Sequence, residues 1–156
     1  MRYENKFWDR NGDYFANSRE AYDLSSLKVL HSGVDTVKQL FNCLLKVDVL
    51  LNISDKYDSG FSNPITIGGI DWLISKSSKS AGYQWILKNL DEGLVVLLKS
   101  FYTDESLNGS HVKIEVSPYL ISSLTPLQLS QKLKSVASSF ANQVIESSVA
   151  VHIAVD

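Results

Sequence analysis

The chain has 156 residues, 44% of them hydrophobic, with a formal net charge of −2 at neutral pH. That size and balance suit one domain with its own core and exclude disordered and collagen-like chains, while the slight acidic excess counts against a duplex-DNA grip built on many phosphates. No apolar run approaches the ~20 residues of a membrane span, residues 1–26 do not read as a signal peptide, and the single Cys43 has no partner for an internal disulfide. A soluble, cytoplasmic protein in a reducing compartment is expected.

Residues 1–26 lack clean periodicity but carry Phe7, Trp8, Tyr14, Phe15 and Tyr22, too many large aromatics for a solvated tail. They read as an arm packed on the domain, with a short helix over about Asn17–Asp23. Residues 27–156 read as a single α+β domain. Within it, Lys28–Phe41 alternates like a strand, entered by the turn His31-Ser32-Gly33. Leu44 to Tyr57 has helical spacing and ends before the breaker Asp58-Ser59-Gly60.

Ile65–Ile74 reads as a strand bulged at its middle by Gly68-Gly69. Ser75–Ser80 forms a polar turn; it has two lysines and several hydroxyls but not the glycine spacing of a phosphate-binding loop. Gly82–Leu90 alternates, and Leu94–Tyr102 is the continuous apolar run of a central strand. Tyr83 and Trp85 fall at alternate positions, which suits core packing better than base stacking. After a loop containing Asn108-Gly109 comes the charged strand His111-Val112-Lys113-Ile114-Glu115-Val116, closed by Ser117-Pro118.

Thr125-Pro126 is a helix start, with Thr as N-cap and Pro at the first helical position. Leu127, Leu129, Leu133, Val136, Ala137, Phe140 and Val144 keep helical spacing to about Ile145, and a last strand begins at Val149. In this strand Val149, Val151, Ile153 and Val155 form the side expected to be buried. The expected fold is an antiparallel sheet of about five to six strands with two main helices packed on one face.

Because strand side chains alternate, Lys113 and Glu115 share one face of their strand, and His152 and Asp156 share one face of theirs. If the two strands are neighbours, these groups gather on an open sheet surface. Glu115, Asp156 and Asp35, with His152, then offer the hard-ligand chemistry of a Mg²⁺ or Mn²⁺ site, and Lys113, Lys99, Lys76 and Lys79 offer phosphate contacts. The alternative is that the acids are solvated charges paired to Lys113 or Lys99 across strands. No GxSxG elbow, thiol-protease arrangement, cysteine-rich zinc site or nucleotide motif is present.

The strings VKIEVSPYLI, AVHIAVD and HSGVDTVKQLF resemble the replication initiators of filamentous phages and rolling-circle plasmids, from about His31 to the C-terminus. The resemblance implies a sheet similar to that of the His-hydrophobic-His endonucleases, a divalent cation and a DNA-nicking tyrosine on a later helix. Glu115 then matches the acid of the fifth-strand motif, Asp156 the acid ending the last strand, and His152 the histidine. The sequence departs from that pattern at His152-Ile153-Ala154, where Ala stands in place of the second His. The nucleophile-bearing segment is also expected to be missing, so that without recruitment of Tyr83, Tyr102 or Tyr119 the chain alone does not nick DNA.

Two functions follow. The first is the N-terminal part of an initiator, a metal-assisted domain that binds single-stranded DNA in the bacterial host cell. The second is a small acidic phage or mobile-element protein that inhibits a host protein, such as a CRISPR-type defence complex, by mimicking a phosphate backbone.

Overall fold

The computed structural model describes residues 13–15, 21–23, 32–60, 64–76, 82–99 and 110–155. Residues 33–154 form one unit, and residues 1–32 with 155–156 another. The described part of the smaller unit is a two-stranded antiparallel hairpin, β1 (Asp13–Phe15) and β2 (Ala21–Asp23), with Tyr14 opposite Tyr22. Ala21–Asp23 is therefore strand rather than the end of the expected helix.

The larger unit runs β3 (Ser32–Leu45), α1 (Val47–Asp58), β4 (Ile65–Ile67), β5 (Ile70–Lys76), β6 (Trp85–Asn89), β7 (Leu94–Leu98), β8 (Ser110–Val116), α2 (Pro118–Ser123), α3 (Pro126–Phe140) and β9 (Ala141–Val155). Its seven strands lie in the order β4-β5-β6-β7-β8-β3-β9, more strands than the sequence suggested. The α+β class and the antiparallel sheet are as expected. The pairs β4/β5, β5/β6, β6/β7, β7/β8 and β3/β8 are all antiparallel.

One sheet face carries the core. Phe41, Trp72, Trp85, Leu87, Leu94, Val96, Leu98, Val112, Ile114 and Val116 are buried there against Ile53 of α1 and Leu133, Val136, Ala137 and Phe140 of α3. The Trp72 and Phe140 rings meet edge to face at 5.6 Å, a geometry that adds about 1 kcal/mol to simple burial. Both long helices thus cover the same face, as the amphipathic spacing implied. Leu127, however, lies in the first turn of α3 and is 69% exposed.

Helix α3 starts where Thr125-Pro126 indicated. Thr125 Oγ1 accepts from the Gln128 N–H at 3.3 Å and the Gln128 side chain accepts from the Thr125 N–H at 2.9 Å, a complete capping box. It ends at Phe140, earlier than the spacing suggested, and Val144 and Ile145 belong to β9. The Lys46 side chain donates to the Ser138 carbonyl at 2.7 Å, and the Lys46 N–H to the Phe140 carbonyl at 2.9 Å. Two carbonyls that the helix end leaves unsatisfied are thereby met by the β3–α1 junction.

Gly68-Gly69 is a hairpin turn between β4 and β5 rather than a bulge within one strand. Both residues have positive φ (63° and 77°), which suits a two-residue hairpin turn. The short α2 was not foreseen; Pro118 supplies its first position. Among the described residues no helix is long and apolar enough to cross a membrane.

Gly93 closes the β6–β7 turn with φ +66°, and a β-carbon there would press into Ser117 Oγ. The Gly93 carbonyl also accepts the Ser117 N–H at 2.9 Å, joining this turn to the start of α2. Gly93→Ala combines a left-handed backbone penalty with a steric clash and is expected to lower unfolding free energy by more than ~1 kcal/mol. Urea denaturation followed by circular dichroism checks this; Gly60→Ala, where φ is also positive but no atom lies near, should cost less.

Candidate nucleic-acid interface

Strand β8 sends Val112, Ile114 and Val116 into the core, and strict alternation sends Lys113 and Glu115 to the sheet face away from α1 and α3. Register then determines their neighbours. Lys38 on β3 stands opposite Glu115, and Leu40 opposite Lys113. On the other side Val95 faces Glu115 and Leu97 faces Lys113, with Lys88 beyond Val95. The Lys113 ammonium lies 3.1 Å from Glu115 Oε1, and the Lys38 ammonium 3.9 Å from the same oxygen. Lys99 follows β7 and is anchored by its N–H donating to the His111 carbonyl at 3.0 Å. The Lys99 and Lys113 ammonium groups lie 5.0 and 5.1 Å from the centre of the Tyr83 ring.

Lys99 and Lys113 thus flank the Tyr83 ring, and Lys113 and Lys38 flank the Glu115 carboxylate, with Lys113 common to both. The Lys38, Lys113 and Glu115 side chains remain 32%, 20% and 29% exposed. Ion pairs with this much solvent access net only about 0–1 kcal/mol, so an incoming phosphate can take the lysines from Glu115 at little cost. A surface depression of about 330 Å³ adjoins Glu115 and is lined in part by Thr36, Asn89, Leu90 and Ser117.

Beside the lysines two acidic groups hold their protons more tightly than usual. Burial, followed by the influence of Cys43 and Glu115, raises the Tyr83 phenol above its ordinary range. Burial pushes the Cys43 thiol up to about 11, outweighing the backbone N–H groups of Val112 and His111, which pull it down. The β3/β8 register slips here, Phe41 facing Val112 and Asn42 facing Ser110, so that β8 carries one extra residue, His111. His111 is 2% exposed, and its Nδ1 lies 2.6 Å from the Cys43 carbonyl. A carbonyl can only accept, so Nδ1 carries the proton. Neither Tyr83 nor Cys43 is tuned as a nucleophile.

The sequence-derived site is only partly assembled. Lys99 and Lys113 come together, and Lys38 joins them, a residue that sequence reading did not single out because only cross-strand register brings it there. Lys76 does not join. It sits opposite Trp85 on the helix-covered face, 4.6 Å from the Tyr57 ring centre and 3.9 Å from Asp58. Lys79 and Asp156 lie outside the described residues. Tyr83 and Trp85 are buried, as core packing implied.

The three candidate metal ligands that are described, Glu115, His152 and Asp35, do not come together. β8 and β9 are not neighbours, since β3 lies between them. This places His152 two strands from Glu115. Asp35 shares the parity of Val37 and Phe41, whose partners Val116 and Val112 face the helices, so it belongs to the opposite face from Glu115. Glu115 is occupied by two ammonium groups, Lys113 of its own strand and Lys38 across the β3/β8 pair, a residue that the expected pairing to Lys113 or Lys99 did not include. Among the described residues no group of three His, Cys, Asp or Glu lies together, and they do not fit the Mg²⁺ or Mn²⁺ that the resemblance implies.

The thiol gives a direct check of this interior. Cys43 is 6% exposed, so at pH 8 its alkylation by iodoacetamide should be at least ~100-fold slower in the native protein than in urea. A raised acid pKa means that the folded state holds its proton more tightly. The stabilisation is therefore complete below the thiol's ordinary range and lost as pH rises toward 11. The urea midpoint should fall from pH 8 to 10.5, and less steeply in Cys43→Ala.

The chain is 34% identical over 134 residues to an uncharacterized protein, ORF430, of Pseudomonas phage Pf1; the match covers 86% of this chain and 30% of that protein. The chain thus spans about a third of the length of this relative. No family model matches the sequence, and no solved structure matches it.

Proposed function

We propose that this chain is the single-stranded-DNA-binding part of a phage replication initiator and that the Lys38–Lys99–Lys113 cluster is where the strand's phosphates bind. The observation that carries this reading is a run of three lysines linked through Lys113, two of them at the Tyr83 ring and two at Glu115, in a chain whose net charge is −2. The VKIEV and HSGVDTVKQLF strings of the resemblance supply two of these lysines, and the phage relative is compatible with such a source. A cationic face is the opposite of what a phosphate-backbone mimic presents. This favours DNA binding over inhibition of a host defence complex.

Binding here is electrostatic and sequence-tolerant: lysines meet phosphates, and no described group is arranged to read base edges. Metal assistance is not part of the proposal, because Glu115 acts as a counter-ion for two lysines. Nor is strand cleavage by the described tyrosines. Tyr83 is buried with its phenol held protonated, and Tyr119, although 72% exposed, lies on α2 outside the lysine cluster. Any nicking belongs to a longer protein of which this chain is one part.

Glu115 separates the readings because they predict opposite signs. As a counter-ion its removal frees two lysines, so Glu115→Gln should tighten binding of a labelled oligothymidine several-fold in fluorescence anisotropy, with or without Mn²⁺. As a metal ligand its loss would abolish binding. Lys113→Ala should weaken binding and reduce the slope of log affinity against log salt by about 0.7, the single-strand value for one phosphate contact. Wild-type affinity that is absent, or unchanged by salt, would overturn the proposal.

A further inference from the structure

Strand β9 lies at the edge of the sheet, and no described strand pairs with its outer side. It runs for 15 residues. Natural edge strands are usually kept short or are protected by Lys, Pro, bulges or a covering element. Residues 144–154 contain no Lys, Arg or Pro, and Glu146 is their single acid. The strand's one irregular backbone position, Gln143 with φ +52°, precedes this stretch. Ile145, Val149, Val151 and Ile153 share one parity and are 64%, 57%, 50% and 70% exposed.

We propose that a second copy of this chain fills the edge, the two β9 strands pairing antiparallel about a two-fold axis at Val149. Self-pairing keeps like parity on like faces, so the two apolar rows merge into one stripe. In this register Val149 faces its own copy and Ile145 faces Ile153 of the second copy. The same register sets Glu146 opposite His152, twice by symmetry, and places no two like charges opposite each other. The chemistry of the strand is therefore self-complementary in sequence, shape and charge. Glu146 accepts one hydrogen bond from Ser130 Oγ at 2.8 Å, and a carboxylate retains acceptor capacity for a cross-strand His.

The paired stretch spans roughly 35 Å and adds about ten main-chain hydrogen bonds. Its area is at the low end for stable interfaces, so affinity rests chiefly on strand addition, with a dissociation constant on the order of 1–10 µM. This assembly does not rest on the DNA-binding reading.

Sedimentation equilibrium of the full chain tests it. The expected result is a monomer–dimer equilibrium in that concentration range. Val149→Lys sets two ammonium groups against each other at the axis and should weaken dimerisation at least about tenfold, with far-UV circular dichroism unchanged because the side chain is exposed in the monomer. Glu146→Lys should also weaken the dimer, and Glu146→Lys with His152→Glu should restore it, since the exchanged charges face each other again. A wild-type monomer throughout, a dimer insensitive to Val149→Lys, or a double variant no better than Glu146→Lys would each overturn the proposal.

Discussion

The placement of β3 between β8 and β9 is the constraint from which the rest of the larger unit follows. A long first strand that pairs along both edges becomes the inner partner of two strands that are separated from it by most of the chain. It brings Lys38 beside Glu115 and so converts an acid that could have sought a cation into a counter-ion for lysines. It also holds His152 two strands away from that acid. The same pairing leaves β9 outermost among the described strands, and the Lys46 contacts to Ser138 and Phe140 secure the end of α3 immediately before β9 begins.

An acidic chain can present a basic surface only if its charges are sorted by face. Here the sorting is done by strand parity and by local pairing. Lys132 is held by Glu92 at 2.6 Å, tying α3 to the β6–β7 turn, and Lys76 lies beside Asp58 and two aromatic rings on the helix side. On the sheet face away from the helices Lys38 and Lys113 meet Glu115 instead. Three ammonium groups left alone would repel one another and unsettle the strands that carry them. One half-exposed carboxylate relieves that repulsion without binding any lysine strongly enough to withhold it from phosphate. On the proposed reading, Glu115 holds the place that a bound phosphate would take.

What could be read from the sequence was mostly local. The Thr125-Pro126 start, the amphipathic spacing through Phe140, the Gly68-Gly69 interruption and the alternation of β8 all depend on residues close together in the chain. An interrupted apolar run such as the one at Gly68-Gly69 looks the same whether the chain bulges or reverses. Val144 and Ile145 continue the helical spacing of α3, yet their β-branching suits the strand they occupy. Lys38 was invisible as a site residue because its role comes from a partner 77 positions away. Alternation also shows which residues of β9 share a face but not whether any layer covers that face. Val149, Val151 and Ile153 were expected to be buried and are exposed, because α1 and α3 bury their apolar sides over the inner strands.

The proposed lysine site lies on a face of the sheet and the proposed dimer contact on its edge, so the two do not compete for the same surface. A two-fold axis through paired edges stands perpendicular to the sheet, so each copy keeps its lysine face on the same side of the assembly. Between β8 of one copy and β8 of the other lie β3, β9 and their two counterparts, five strand spacings or roughly 24 Å. An edge-paired dimer therefore sets two lysine clusters on one surface at a distance that a single strand of a few extended nucleotides can bridge. Each cluster alone offers too few phosphate contacts for strong binding in a chain of this net charge. Were both proposals to hold, two clusters on one strand would gain by effective concentration instead of by new contacts, and an edge left unpaired among the described strands would be what brings them together.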